Sequence, residues 1–249
     1  MFKRLRNKFQ TAFRPNHLNE PVTRTEMTIN SYGRQLTTSE IAAKEHRALV
    51  GGMWEEVGQL QFEFMKSLGL LPEHKLLDVG CGAMRGGIFF VKYLNKGNYF
   101  GLDINQSLID AGKVELNALG LLDKSPNLLV NDKFEFSLFD IKFDFAIALS
   151  VFTHLFMNNI IRCLVEMNRA LNPGGRFCAT FFESPTSAHL DPLFHSPGGI
   201  TTYFDHDPFH YSFSEMQHMA AIANLTVTLV DHWSHPRNQK MLCFTRLDP

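Results

Sequence analysis

Lys75-Leu76-Leu77-Asp78-Val79-Gly80-Cys81-Gly82-Ala83-Met84-Arg85-Gly86-Gly87 is a short apolar run that breaks into a glycine-rich turn. The run predicts a strand over 75–79, and the residues from Arg85 to Leu94 predict a helix. A turn of this composition between a strand and a helix lets the backbone approach a ligand where side chains would block it. Working outward, strand and helix patterns alternate. Strands are expected over 99–104, 127–130, 143–149, 176–182, 225–230 and 241–245, and helices over 106–119, 158–171 and 214–223, the last with Ser214 as N-cap. Such alternation implies parallel strands joined by crossover helices. Strands that are apolar on both faces, such as Phe143-Asp-Phe-Ala-Ile-Ala-Leu149, imply a sheet covered on both sides.

The turn follows D-x-G-x-G-x-x-x-G. A dinucleotide fingerprint, G-x-G-x-x-G, needs its third glycine at position 85, which is arginine here. That spacing disfavours a nicotinamide oxidoreductase, the first alternative. Asp103 ends the second strand in Phe100-Gly-Leu-Asp103, where the two oxygens of a carboxylate match the vicinal diol of a ribose.

With these pieces in order, residues from about Leu70 to Leu247 resemble the class I S-adenosylmethionine-dependent methyltransferases. LLDVGCG looks like the family's first motif and FGLDI its second. Asp132, twelve residues before Asp144, stands where the family places an acid near the adenine amino group. Leu171-Asn-Pro-Gly-Gly-Arg176 announces the fifth strand. The resemblance implies a Rossmann-like, doubly wound α/β sheet of seven strands in the order 3-2-1-4-5-7-6, the last antiparallel. It implies S-adenosylmethionine as cofactor, bound by Asp78, Gly80, Cys81, Gly82, Asp103, Ile104, Asp132, Lys133, Phe134, Leu149 and Ser150. Asp78 lies near the methionine amino end on this reading, and Phe134 or Phe136 near the adenine. The stretch His235-Pro-Arg-Asn-Gln-Lys-Met-Leu242 resembles the C-terminal signature of a bacterial subgroup met near glycan genes. A methyltransferase-like module without chemistry is the second alternative.

Methyl transfer to an oxygen is helped by a base that takes the proton, and histidine suits neutral pH. His154, His210 and His235 lie in segments that emerge beyond the carboxyl ends of the strands, where ligands of doubly wound sheets bind. The connection over 183–211 is too long for a plain link and combines aromatics with Asp and His. It is expected to be a substrate lid, with Tyr203, His206 and Arg237 contacting a small, polar or sugar-like acceptor. No metal ligand set is assigned.

The chain has 249 residues, 45% of them hydrophobic, enough for one sizeable core. The expected organisation is an N-terminal helical cap over 1–70 and the methyltransferase domain over 71–249. A helical stretch opens near Ser39 and is broken at Gly51-Gly52. A net charge of -1 advertises no nucleic-acid surface. Four scattered cysteines and no secretory leader suit a reducing, cytoplasmic setting. Phe2, Leu5, Phe9 and Phe13 share one helix face among five basic residues before Asn19, which gives weak peripheral membrane contact as one expectation for the terminus and a solvated end as the other.

Overall fold

The computed structural model describes residues 33–246. The basic terminal segment over 1–19 lies outside them. At the centre is a parallel sheet built from β1 (Leu76–Val79), β2 (Tyr99–Asp103), β3 (Asn127–Val130), β4 (Phe143–Ala148) and β5 (Leu171–Glu183). The sheet is completed by β6 (Leu225–Leu229) and β7 (Lys240–Arg246). The order is 3-2-1-4-5-7-6, and β7 runs antiparallel to both neighbours, as expected.

Alternate residues of each strand enter opposite cores. Leu77 and Val79 of β1 join Ala146 and Ala148 of β4 beneath α6 (Met157–Ala170) and α7 (Phe213–Ile222). Leu76, Phe145 and Ile147 turn to the other face, beneath α3 (Trp54–Ser67), α4 (Gly87–Tyr93) and α5 (Gln106–Ala118). Helices on both faces account for strands without a polar side.

Three boundaries differ from the sequence reading. Strand β5 starts at Leu171 rather than Arg176, because the Asn172–Gly175 segment bulges: Phe143 pairs with Leu171, yet Phe145 pairs with Arg176. The N-cap of α7 is Ser212, which forms a capping box with Glu215, and not Ser214. The described part of the cap region holds three helices: α1 (Thr38–Ala42) behind a Thr37–Glu40 capping box, α2 (Glu45–Leu49), and α3 after left-handed Gly51, Gly52 and Met53.

The cap is fastened to the domain by buried polar contacts. Glu115 of α5 accepts two hydrogen bonds of 2.8 Å from Arg47 and has His46 Nε2 at 2.8 Å from Oε1. The Arg47 pairing holds the Glu115 carboxyl below its ordinary range. Arg85 Nη1 donates to the carbonyls of Val50 and Gly52, and Arg237 Nη2 to that of Gly51 at 2.5 Å.

Helix α3 approaches α4 through two glycines. A Cβ at Gly58 would stand 2.5 Å from the carbonyl oxygen of Arg85, and one at Gly86 would stand 2.0 Å from Nε2 of Gln61. Alanine is a better helix former than glycine by ~1 kcal/mol. At Gly58 the clash is with backbone and with the Phe89 ring, so overpacking of ~1–3 kcal/mol prevails. Gly58→Ala is therefore expected to lower the midpoint of thermal unfolding by several degrees; an unchanged or higher midpoint would show that the helices can separate freely.

Candidate active site

The carboxyl ends of β1, β2 and β4 open into a cleft of about 990 Å³, including its solvent-open mouth. Its floor is the turn after β1. Gly80 and Gly82 hold φ of +70° and +52°, a region that L side chains rarely adopt. A Cβ on Gly80 would also lie 2.5 Å from Val151 Cγ2. The turn is anchored from the next strand, because Gly82 N–H donates to Asp103 Oδ2 at 2.9 Å. Asp103 Oδ1 accepts from Asn105 N–H at 2.9 Å. Each carboxylate oxygen keeps a second lone pair. Burial raises the Asp103 carboxyl, and the backbone donors at Asn105, Gly82 and Ile104 oppose that rise.

Asp78 lies on the same wall, 4% exposed. Burial pushes its carboxyl up to about 7, against the Tyr99 hydroxyl that donates to Oδ2 at 2.7 Å; neighbouring Asp103 adds to the rise. Because this value is above that of the unfolded chain, Asp78 favours the fold fully below its ordinary range, and that contribution is lost as pH rises through about 7. Burial also raises the Cys81 thiol well above its usual range, so Cys81 is a filler in the turn and not a nucleophile.

Of the residues assigned from sequence, Asp78, Gly80, Cys81, Gly82, Asp103, Ile104, Phe134, Leu149, Ser150 and His154 come together around this cleft. Asp132 and Lys133 do not line it; both are exposed, next to Asn131, which does. Ser150 holds a left-handed φ of 59° because Thr180 Oγ1 accepts from its N–H and Gln239 Oε1 accepts from its hydroxyl.

The three candidate histidines separate clearly. His154 lines the cleft, and its Nδ1 lies 2.5 Å from Asp207 Oδ1. His210 does not line it. That side chain is fully buried, with Nδ1 against Thr202 Oγ1 and Nε2 donating to the carbonyl of His189, so it is a strut inside the 183–211 segment. His235 is also buried, and its Nδ1 accepts from Arg237 N–H. Burial first, then Arg85 and Arg237, depress it to about 4, too weak a base for work near neutral pH.

The 183–211 segment is ordered over the same end of the sheet. It contains a hairpin of Leu193–His195 with Ile200–Thr202, and its His210–Tyr211 strand pairs with the end of β5. Phe209 N–H donates to Thr153 O and the Tyr211 hydroxyl to Leu155 O, which fixes the segment beside His154. Tyr203 and His206 stack with ring centroids 3.9 Å apart on the lid and stand outside the cleft wall. Arg237 also stands outside it, committed to Gly51. Among the described residues, no group of three or more His, Cys, Asp or Glu is placed to hold a metal ion. No described helix is long and apolar enough to cross a membrane.

Val50, Gln61, Arg85 and Asn131 are among the lining residues that the sequence reading did not assign, and it did not pair Asp207 with His154. For Gln61 a signal existed: it is a polar residue spaced by four from Val57 and Met65 on the buried stripe of α3.

Residues 77–177 match a family described as a methyltransferase domain. The chain has the Rossmann-like methyltransferase fold. Over 112 residues it is 33% identical to cycloartenol-C-24-methyltransferase of Arabidopsis thaliana, covering 45% of this chain and 32% of that protein. Over 125 residues it is 29% identical to demethylmenaquinone methyltransferase of Bacillus cereus, covering 50% of this chain and 51% of that one. The chain thus spans about a third to a half of the length of these relatives. Among solved structures, the CcbJ methyltransferase of Streptomyces caelestis superposes with a TM-score of 0.61 at 15% identity, covering 87% of this chain and 98% of that one. Magnesium protoporphyrin IX methyltransferase of Synechocystis, solved with bound S-adenosylhomocysteine, gives 0.57 at 14%, covering 78% and 86%. This fold places the cleft at the switch point between β1 and β4, where strand order reverses.

Proposed function

We propose that the protein is an S-adenosylmethionine-dependent methyltransferase acting on a hydroxyl of a small, polar or sugar-like acceptor, with His154 as general base. The observation that carries this reading is the shared cleft: a side-chain-free elbow at Gly80 and Gly82, an acid one strand over, and a carboxylate-supported histidine on the same wall. The residues fit an adenosyl group. Asp103 has lone pairs for a ribose diol, and Ile104, half exposed, together with Phe134 offers apolar surface to a planar base.

When bound, S-adenosylmethionine supplies a methyl carbon whose bond to sulfur breaks as the acceptor oxygen bonds to it, the electron pair leaving with sulfur. The sulfur departs neutral, so the protein needs no acid. Its residues have two tasks. The elbow and the lid hold the reactants in line, which can contribute several orders of magnitude in rate. His154 takes the hydroxyl proton. Asp207 at Nδ1 fixes the tautomer that carries its lone pair on Nε2, and stabilises the imidazolium that forms.

The test is transfer of methyl label from S-adenosylmethionine into fractionated cell extract. Label entering the glycan or metabolite pool supports the reading, whereas label confined to protein or lipid changes the acceptor class. Calorimetry with S-adenosylhomocysteine tests the cofactor separately.

A pH dependence also follows. The ammonium of the cofactor's amino-acid end favours the ionised form of Asp78, whose carboxyl sits at about 7 in the free protein. Binding must then release a proton below that value, so affinity for S-adenosylhomocysteine is expected to rise by up to ~10-fold from pH 6 to pH 8. Asp78→Asn should flatten the profile; an equally steep profile in that variant would assign the dependence to another group.

A further inference from the structure

The buried stripe of α3 carries one polar side chain, Gln61, and that residue lines the cleft. Gln61 is 3% exposed, and its carboxamide makes no hydrogen bond to any described residue. A polar group on a ligand cleft is placed to pair with a polar group of the ligand, and the amide of Gln61 faces the cleft rather than sealed core. Its position is set by an absent side chain: a Cβ on Gly86 would stand 2.0 Å from Nε2 and 2.6 Å from Oε1. The third glycine of the D-x-G-x-G-x-x-x-G pattern thus seats the end of Gln61 against the start of α4.

What Gln61 faces indicates the chemistry that would satisfy it. Asp78 and Arg85 line the same cleft, so it holds an acid and a base besides the amide. Arg85 is engaged with the carbonyls of Val50 and Gly52, which keeps its charge in place. A carboxamide donates through its nitrogen and accepts through its oxygen. In a cleft that also holds a cation and an anion, that pair of functions complements an α-amino acid head group: a carboxylate that accepts and an ammonium that donates.

We propose that Gln61 binds the amino-acid end of S-adenosylmethionine, its N–H groups donating to the carboxylate and its carbonyl accepting from the ammonium that Asp78 also faces. The inference rests on the cofactor reading above. It makes the N-terminal cap a part of the cofactor site, because the other cleft residues with polar side chains at this end come from the domain while Gln61 comes from α3. It also makes the cleft selective for ligands that carry the intact amino-acid end.

Two probes separate these statements. S-adenosylhomocysteine carries the amino-acid end, and 5′-methylthioadenosine lacks it. Gln61→Met keeps the length of the side chain against Gly86 but removes both polar atoms. By calorimetry, this variant is expected to bind S-adenosylhomocysteine ~10-fold or more weakly, the range for a lost hydrogen bond to a charged group, and methylthioadenosine within about twofold of wild type. Gln61→Glu, which replaces the donor by a second acceptor, should show the same split. Unchanged binding of S-adenosylhomocysteine by Gln61→Met overturns the proposal. So does an equal loss for both probes, since that is what damage to α3 packing would produce. If the wild-type protein binds neither probe, the cofactor reading itself falls, and this inference with it.

Discussion

Asp103→Asn is expected to weaken S-adenosylhomocysteine binding by at least ~100-fold, corresponding to two hydrogen bonds to a charged acceptor at ~1.5–3 kcal/mol each. The size follows from what the carboxylate does at once. Its two oxygens accept from Gly82 N–H and Asn105 N–H, so Asp103 holds both the cofactor elbow and the entry to α5. An amide has one acceptor oxygen. Whichever way it turns, its NH₂ meets one of the two backbone N–H groups, and the elbow loses its anchor or α5 its entry geometry. The ribose diol meanwhile loses one of two acceptors. Calorimetry measures the affinity, and thermal unfolding of the free variant separates binding from folding. A folded variant that binds within about tenfold of wild type would show that the diol is held elsewhere.

The same residue shows why so many of the residues that line the cleft were legible in the sequence. An elbow between consecutive elements is a local feature. Gly80, Gly82 and the start of the next helix are within a few residues of each other, and their spacing is constrained by backbone conformation. Asp103 is far along the chain but fixed by register: β1 pairs with β2 as Val79 to Leu102, so the residue after Leu102 must emerge beside Gly80. Strand order was expected from the resemblance to the methyltransferases and is the order observed; alternation by itself implied only parallel strands with crossover helices.

The parts that were not legible depend on distant packing. Nothing near Gln61 in sequence indicates that it meets Gly86, because the approach of α3 to α4 is decided by glycines 28 residues apart, Gly58 and Gly86. Histidine content could not separate His154 from His210 and His235. Burial and hydrogen-bond partners separate them, and those partners, Thr202 with the His189 carbonyl and Arg237, belong to the tertiary fold. Arg237, expected at an acceptor, is used instead to hold Gly51 of the cap, since a guanidinium beside an unpaired helix-end carbonyl finds a partner within the fold. The pairing of Asp207 with His154 was not legible because the two are 53 residues apart and sequence periodicity does not describe the path of the 183–211 segment.

His154→Ala is expected to lower methyl transfer by ~10²–10⁴-fold while leaving S-adenosylhomocysteine affinity nearly unchanged, the signature of a lost general base. Asp207→Ala tests the same assignment from one contact away. Without the carboxylate at Nδ1, the imidazole loses its fixed tautomer, and the proton can sit on the nitrogen that has to accept one. Transfer should therefore fall in Asp207→Ala as well, with the double variant no worse than His154→Ala alone, because two residues acting as one unit are not additive. Nitrogen-15 spectra of the histidine ring report the tautomer directly and need no acceptor: wild type should show the proton on Nδ1, and Asp207→Ala should move it towards Nε2. If transfer in both single variants stays within about threefold of wild type, proton removal is not what this wall of the cleft contributes, and positioning of the acceptor by the lid must account for the rate.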